Sequence, residues 1–487
     1  MAPIVKSSNL AHIFPPYNLT PLDHVVPWEI FNAVFSFSLL GKDIFEVVQS
    51  VERGISNLCS NFPFLTGVVV PSIQPNGRRN LFMVQPASAT QIEDYPILVI
   101  QEHTESTPKT VNGRLNPALT PVPMLYPASN PSPVLRLKTN IVRDELILVW
   151  SCDHRALDGT IFLAIFDEFA TFSRDPNSPR KLATAPDVQD KTRQEIHEIA
   201  SAIKPQRLPW TLISPSASRA KESREFIDSC RFALSSSYVL DHQKIVLLRD
   251  AYILAGSSLP EKHSKSPPSQ ITPLNMIVSA LVSLCTNRAR LKAFPNEREQ
   301  PSDLLIATNI RKAGHIPRSY MGNCILPAES KGGSSVLPPP EVLHNIPLRG
   351  SLGALQPEDI WHVYNIAKNL RQARELLDRE RIQGVIANLS RSHDWGSFQP
   401  GYGVSMFISD IKAASPYMNL GPLGDVQSFD MYVETLPGLC FILPDPPGSE
   451  PSWRLRLVLE RAAMECLSSD PLFRWALAPT VCRDAKM

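Results

Sequence analysis

The chain has 487 residues, 43% of them apolar and 20% charged, with 48 Lys and Arg against 47 Asp and Glu. That length suffices for two substantial domains, and an even charge without Lys/Arg blocks speaks against nucleic acid or an anionic membrane as a partner. No apolar run approaches a membrane span, the N-terminus lacks an apolar signal core, and the eight cysteines show no CxxC or Cys/His metal spacing. The expectation is a cytosolic protein with buried thiols and no metal. Walker, GxGxxG and GxSxG motifs are all missing, which removes the common nucleotide, dinucleotide and serine-hydrolase classes.

In chain order, residues 33–40 read as a strand and 44–58 as a helix with Val47, Val51, Ile55 and Leu58 on one face. Residues 64–70 are strand-like, and Asn76-Gly77 marks a turn before a strand at 81–84. Residues 134–141 and 146–152 predict two strands about a tight turn. A helix follows at 160–174, with Ile161, Ala164, Ile165, Glu168 and Phe169 at helical spacing. From 175 to 222, prolines punctuate a polar stretch that holds one amphipathic helix near 191–203. This reads as the crossover between an N-terminal domain, 1–174, and a C-terminal domain, 223–487. The second domain predicts a strand near 230–233, helices at 241–255 and 273–290, and a polar loop at 256–270. A surface loop at 330–353 then precedes one helix from Pro357 to about Arg379, with Ile360, Val363, Ile366, Leu370, Ala373 and Leu377 as its stripe. The class is α/β with mixed sheets.

One HxxxDG occurs, His154 to Gly159, on the turn between the strand at 146–152 and the helix at 160–174; none of the other ten histidines has Asp four residues on. A lone histidine at a strand end is ordinarily a hydrogen-bonded structural residue. Here Asp158 can cap the following helix, and Gly159 permits a backbone conformation or a close approach that a Cβ would block. Such a turn holds His154 in one orientation at the mouth of a cleft, and imidazole can both accept and return a proton near neutral pH. Cys152, by strand alternation, reads as a small core residue rather than a nucleophile.

Other segments fall into a known order. Leu19-Thr20-Pro21-Leu22-Asp23 resembles the LSPLD opening of the BAHD-type acyltransferases, and Leu58 to Gly67 is similar to their helix-to-strand corner. The HxxxDG matches theirs; Ala307 to Arg311 with Tyr320-Met-Gly322-Asn323 resembles their "D.R … YxGN" segment. Leu439 to Gly448, then Glu460, Met464-Glu465 and Asp470 to Phe473, resemble their C-terminal signature. The chain most resembles the fungal branch, the group around trichothecene 3-O-acetyltransferase. The resemblance implies two chloramphenicol-acetyltransferase-like domains with an active-site tunnel at their interface. It implies acyl-CoA as co-substrate, acetyl by default, with no bound cofactor or metal. The acceptor would be a hydroxyl of a fungal-type secondary metabolite, and the enzyme a cytoplasmic monomer.

The same resemblance implies His154 as general base toward the acceptor and then as acid toward the CoA sulfur. Asp158 would pair with Arg311 or Arg288 to hold the loop rather than relay a proton, and Gly159 would lie near the donor's arm. Asn323 would contact substrate or hold the tunnel's turn, and Ser409 is a candidate oxyanion donor. Lys262, His263 and Lys265 would meet the CoA phosphates or belong to a solvated loop. Three departures stand out. The family's DFGWG falls on Asn419 to Leu423 without its Asp and Trp, the TSW-like segment falls near 408–410 with Ser405 as a competing match, and the first histidine of HHxxxDG is Asp153. The alternatives are an N-acyltransferase, a carrier-protein-dependent condensation-like enzyme, and a non-catalytic binding protein of the same fold.

Overall fold

The structure is a computed structural model. It describes residues 5–8, 10–26, 28–72, 77–104, 107–111, 113–123, 131–179, 182, 186–207, 233–257, 272–295, 303–331, 343, 350–398, 406–433 and 437–479. Asn76, residues 230–232, most of the loops expected at 256–270 and 330–353, and Lys262, His263, Lys265 and Ser405 lie outside them.

Two six-stranded mixed sheets organise the fold. Their strands are β1 (Val5–Ser8), β2 (Ile30–Ser38), β3 (Leu98–His103), β4 (Leu135–Val142), β5 (Glu145–Asp153) and β6 (Ala233–Asp241). The remainder are β7 (Leu304–Asn309), β8 (Ile325–Ser330), β9 (Met406–Asp410), β10 (Ser428–Tyr432), β11 (Leu439–Leu443) and β12 (Ser452–Glu460). The first sheet is ordered β1-β3-β4-β5-β2-β10 and the second β6-β12-β11-β9-β7-β8. The helices used below are α1 (Ile44–Asn61), α2 (Gly159–Arg174), α3 (Pro186–Ala202), α4 (His242–Ser257), α5 (Leu274–Ala293), α6 (Pro357–Glu375) and α7 (Arg379–Arg391). Among the described residues no helix is long and apolar enough to cross a membrane.

Strand β10 belongs to the chain's second half but pairs antiparallel with β2, Ser428 opposite Ser36 and Tyr432 opposite Asn32. The N-terminal sheet is therefore completed by residues that the division at 174 and 223 placed in the other domain. The physical reason is alternation: Phe429 and Met431 point into the first core, and Phe429 lies 5.2 Å from Phe35.

Three expected elements differ. Residues 63–66 form a 3-10 turn before a strand at Val68–Pro71, because Pro63 fixes the backbone just past the end of α1. The strand expected near 230–233 is β6, nine residues from Ala233 whose Ser-rich face hides the period. The helix expected to run to Arg379 stops at Glu375, and Asp378 starts α7 by accepting the Arg381 N–H at 2.8 Å.

Candidate active site

Packing places the HxxxDG loop. β5 runs between β4 and β2 as a buried strand, and His154 follows its last residue. The buried Trp150 of β5 meets Phe162, Phe166 and Phe169 of α2 edge-on at 5.7, 5.4 and 5.2 Å. Each buried ring of this kind contributes roughly 1.5–3 kcal/mol, so strand and helix are locked together and the five residues between them have little freedom.

Hydrogen bonds then fix the loop itself. Asp158 is fully buried and caps α2, accepting the Ile161 N–H at 3.0 Å. Its other oxygen accepts the Cys324 N–H at 3.0 Å and pairs with the Arg311 guanidinium at 2.7 Å. Arg288 instead pairs with Asp359, so of the two expected partners Arg311 is the one at Asp158. Arg311 also donates to the carbonyls of Tyr320 and Gly322 at 3.1 and 2.8 Å. Asn323 does not face the cavity. Its side-chain amide lies 2.9 Å from the carbonyl oxygens of both His154 and Arg155, and its backbone N–H donates to Asp23 at 2.7 Å. The acid of the LTPLD segment thus reaches the histidine through Asn323. Gly322 is needed beside it, since a Cβ there would lie 2.4 Å from the Tyr320 hydroxyl.

Asp153, at the first histidine's place in HHxxxDG, is taken by Arg155 at 3.0 and 2.6 Å. That guanidinium lies 4.3 Å over the Phe82 ring. The His154 backbone N–H donates to the Glu29 carbonyl at 3.1 Å, and its half-buried ring meets Phe31 edge-on at 5.3 Å. Burial holds the imidazole pKa below its ordinary 6.5, partly offset by nearby backbone carbonyls and by the charges of Asp158 and Asp153. The ring is accordingly a free base at neutral pH.

His154 opens onto a cavity of about 220 Å³ between the two sheets. Phe31 and Met431 line it from the first sheet, Ile306, Ala307, Phe407, Ser409 and Phe441 from the second. The cavity thus joins residues some 400 positions apart on one wall, and brings Ser409 and His154 to the same space. Gly159 lines it too. Its backbone is not left-handed, and a Cβ would meet nothing within 4 Å. The expected need for a special conformation or a tight contact is therefore corrected: glycine here keeps the cavity open.

No protein-family model matches the chain. O-acetyltransferase pyr7 of Aspergillus fumigatus is 28% identical over 95% of this chain and 92% of its own. Communesin N16 acyltransferase cnsK of Penicillium expansum is 26% identical, covering 95% of this chain and 98% of its own. Among solved structures, F. sporotrichioides TRI101 complexed with coenzyme A and T-2 superposes with a TM-score of 0.66 at 17% identity, over 95% of this chain and 98% of that one. The fold is that of the BAHD-type acyltransferases.

Against the BAHD pattern, the Asn419–Leu423 turn keeps a structural role without the usual Asp and Trp. Asn419 accepts the Gly421 N–H at 2.9 Å, as an Asp would, while Leu420 and Leu423 are buried in the first core. Lys42 and Arg174 of the N-terminal half bond its carbonyls. Cys152 is a buried thiol whose pKa burial pushes well up, so it is no nucleophile. Sequence reasoning missed Glu29, Phe31 and Arg374 on the cavity wall. Alternation along β2 could have found Phe31; nothing local marks the other two.

Proposed function

We propose that the chain is an acyl-CoA-dependent O-acyltransferase that moves an acyl group, acetyl by default, to a hydroxyl of a fungal-type secondary metabolite. The observation that carries this is His154: a free-base imidazole on a braced loop, facing a cavity walled by both sheets. The full-length likeness to named fungal acyltransferases supports the reaction class. We extend the reading to a monomer acting in the cytoplasm.

His154 takes the proton from the acceptor O–H as the oxygen attacks the thioester carbonyl. The tetrahedral intermediate places negative charge on the former carbonyl oxygen, and the Ser409 hydroxyl is the donor assigned to it. Collapse breaks the C–S bond, and the imidazolium returns its proton to the CoA thiolate, leaving ester and free thiol. Asp158 and Asn323 act by holding the loop, not by proton transfer. Ordering two reactants at one base supplies much of the rate.

A second reading, transfer to an amine, is favoured by one relative whose name specifies acylation at N16. The test is CoA-thiol release by purified protein from acetyl-CoA with a panel of alcohols and amines. Thiol release and an acetylated alcohol are expected. Consumption of carrier-bound acyl groups alone would select a condensation-like enzyme, and no binding of any CoA thioester would select a non-catalytic protein.

A further inference from the structure

Among the described residues lining the cavity, Arg374 is the one Lys or Arg. It stands in the last turn of α6, the helix that packs on β7 and β8, and it is exposed, so it marks a mouth of the cavity rather than its floor. Nearby arginines are engaged: Arg288 with Asp359, Arg311 with Asp158, and Arg371 with Glu375 at 3.6 Å. The Arg374 guanidinium has no hydrogen bond or ion pair among the described residues. A cation with no ion pair among the described residues, at the mouth of a mainly apolar cavity whose carboxylates are Glu29 and Asp410, is open to an anion, and guanidinium matches phosphate through two parallel hydrogen bonds. Of the two reactants in the acyltransferase reading, the CoA thioester is the one that must carry anionic groups, at the far end of its arm from the sulfur.

We propose that Arg374 holds a phosphate of the CoA donor at this mouth, so that the donor enters past α6. Its arm then runs by the exposed Thr160 and Asn309, which are joined by a 3.0 Å hydrogen bond, and over the open space at Gly159 to reach His154. The apolar wall of Val26, Phe31 and Met431 is left to the acceptor. The assignment rests on the acyltransferase reading and gives it a direction. It places a phosphate contact on a helix, while Lys262 and Lys265 lie outside the described residues.

The test compares wild type, Arg374→Ala and Arg374→Lys with two donors, acetyl-CoA and S-acetyl-pantetheine, which lacks every phosphate. For Arg374→Ala, KM for acetyl-CoA is expected to rise about ten-fold, with kcat and the acceptor KM within about two-fold of wild type. KM for S-acetyl-pantetheine should not move, and Arg374→Lys should fall between. An unchanged acetyl-CoA KM, or an equal rise for S-acetyl-pantetheine, overturns the assignment. A rise confined to the acceptor KM overturns it too, and gives Arg374 to the acceptor. Wild-type protein that binds no CoA thioester overturns the acyltransferase reading itself, and this assignment falls with it.

Discussion

Strands β5 and β9 both end at the cavity, one delivering His154 and the other Ser409, and the two ends are held differently. Beyond β5, Asp153, Arg155 and Asp158 are each committed to charged or backbone partners, and Asn323 grips the carbonyls of His154 and Arg155. At the end of β9, Asp410 accepts the Lys412 N–H at 3.0 Å and the Asn275 amide at 2.6 Å, and the Lys412 ammonium pairs with Asp445 at 2.7 Å, so this end is fastened too, but past Ser409 rather than through it. No side-chain hydrogen bond ties the Ser409 hydroxyl among the described residues. The first end spends its polar groups on rigidity, while the second leaves one free for a ligand. The contrast fits the proposed roles: a base must be aimed within tight limits, whereas a donor for a transient oxyanion can turn to meet it.

Three measurements break or sharpen this contrast. The largest effect is expected from Asp158→Asn, which leaves the Arg311 guanidinium buried without its countercharge. Such a loss costs roughly 3–5 kcal/mol, to be read as a lower urea midpoint together with lost turnover. A variant that melts like wild type and loses only kcat would move Asp158 into the chemical step. Ser409→Ala should do the reverse, lowering kcat about 10²-fold at an unchanged melting temperature. If it destabilises the fold instead, the Ser409 hydroxyl is a structural group and not one kept for a ligand.

The smallest effect concerns pH. His24 is fully buried beside the loop's anchor. Its Nε2 accepts the Phe82 N–H at 3.1 Å, so its Nδ1–H donates to the Thr20 carbonyl at 2.8 Å. Burial lowers its pKa to about 3. The unfolded chain takes up a proton at this residue near pH 6.5 and the folded chain does not. Stability is therefore complete above pH 6.5 and is lost as pH falls, by about 1.4 kcal/mol per unit. His154, also held below 6.5 by burial, adds to the loss, so urea titrations from pH 7 to 5 should show at least the His24 share of the slope, and His24→Gln should reduce it without abolishing it.

The braced end was the legible one. His154 and Asp158 lie on one short loop and Gly159 opens the helix after it, so their spacing survives in the sequence, and the strand and helix around them follow from residue period alone. Arg311 and Asn323 were visible through the ordered resemblance, but Asn323's grip on the His154 carbonyl needed the fold. Strand β10 escaped because its pairing with β2 spans most of the chain, and no local pattern states which sheet a short apolar strand joins. The break between α6 and α7 was marked by Asp378, yet the apolar stripe ran on through Leu377 and masked it. Arg374 lies on no motif; only the meeting of α6 with the cavity gives it a role.

The central claim is that His154 is the base and that its loop serves only to hold it. The direct measurement is kcat for His154→Ala with acetyl-CoA and an accepted alcohol, alongside calorimetric binding of acetyl-CoA and a thermal melt. The account predicts a fall in kcat of about 10²–10⁴-fold, with donor affinity and melting temperature close to wild type. A variant that keeps more than about a tenth of wild-type kcat would contradict it, because removal of a true general base costs far more than that.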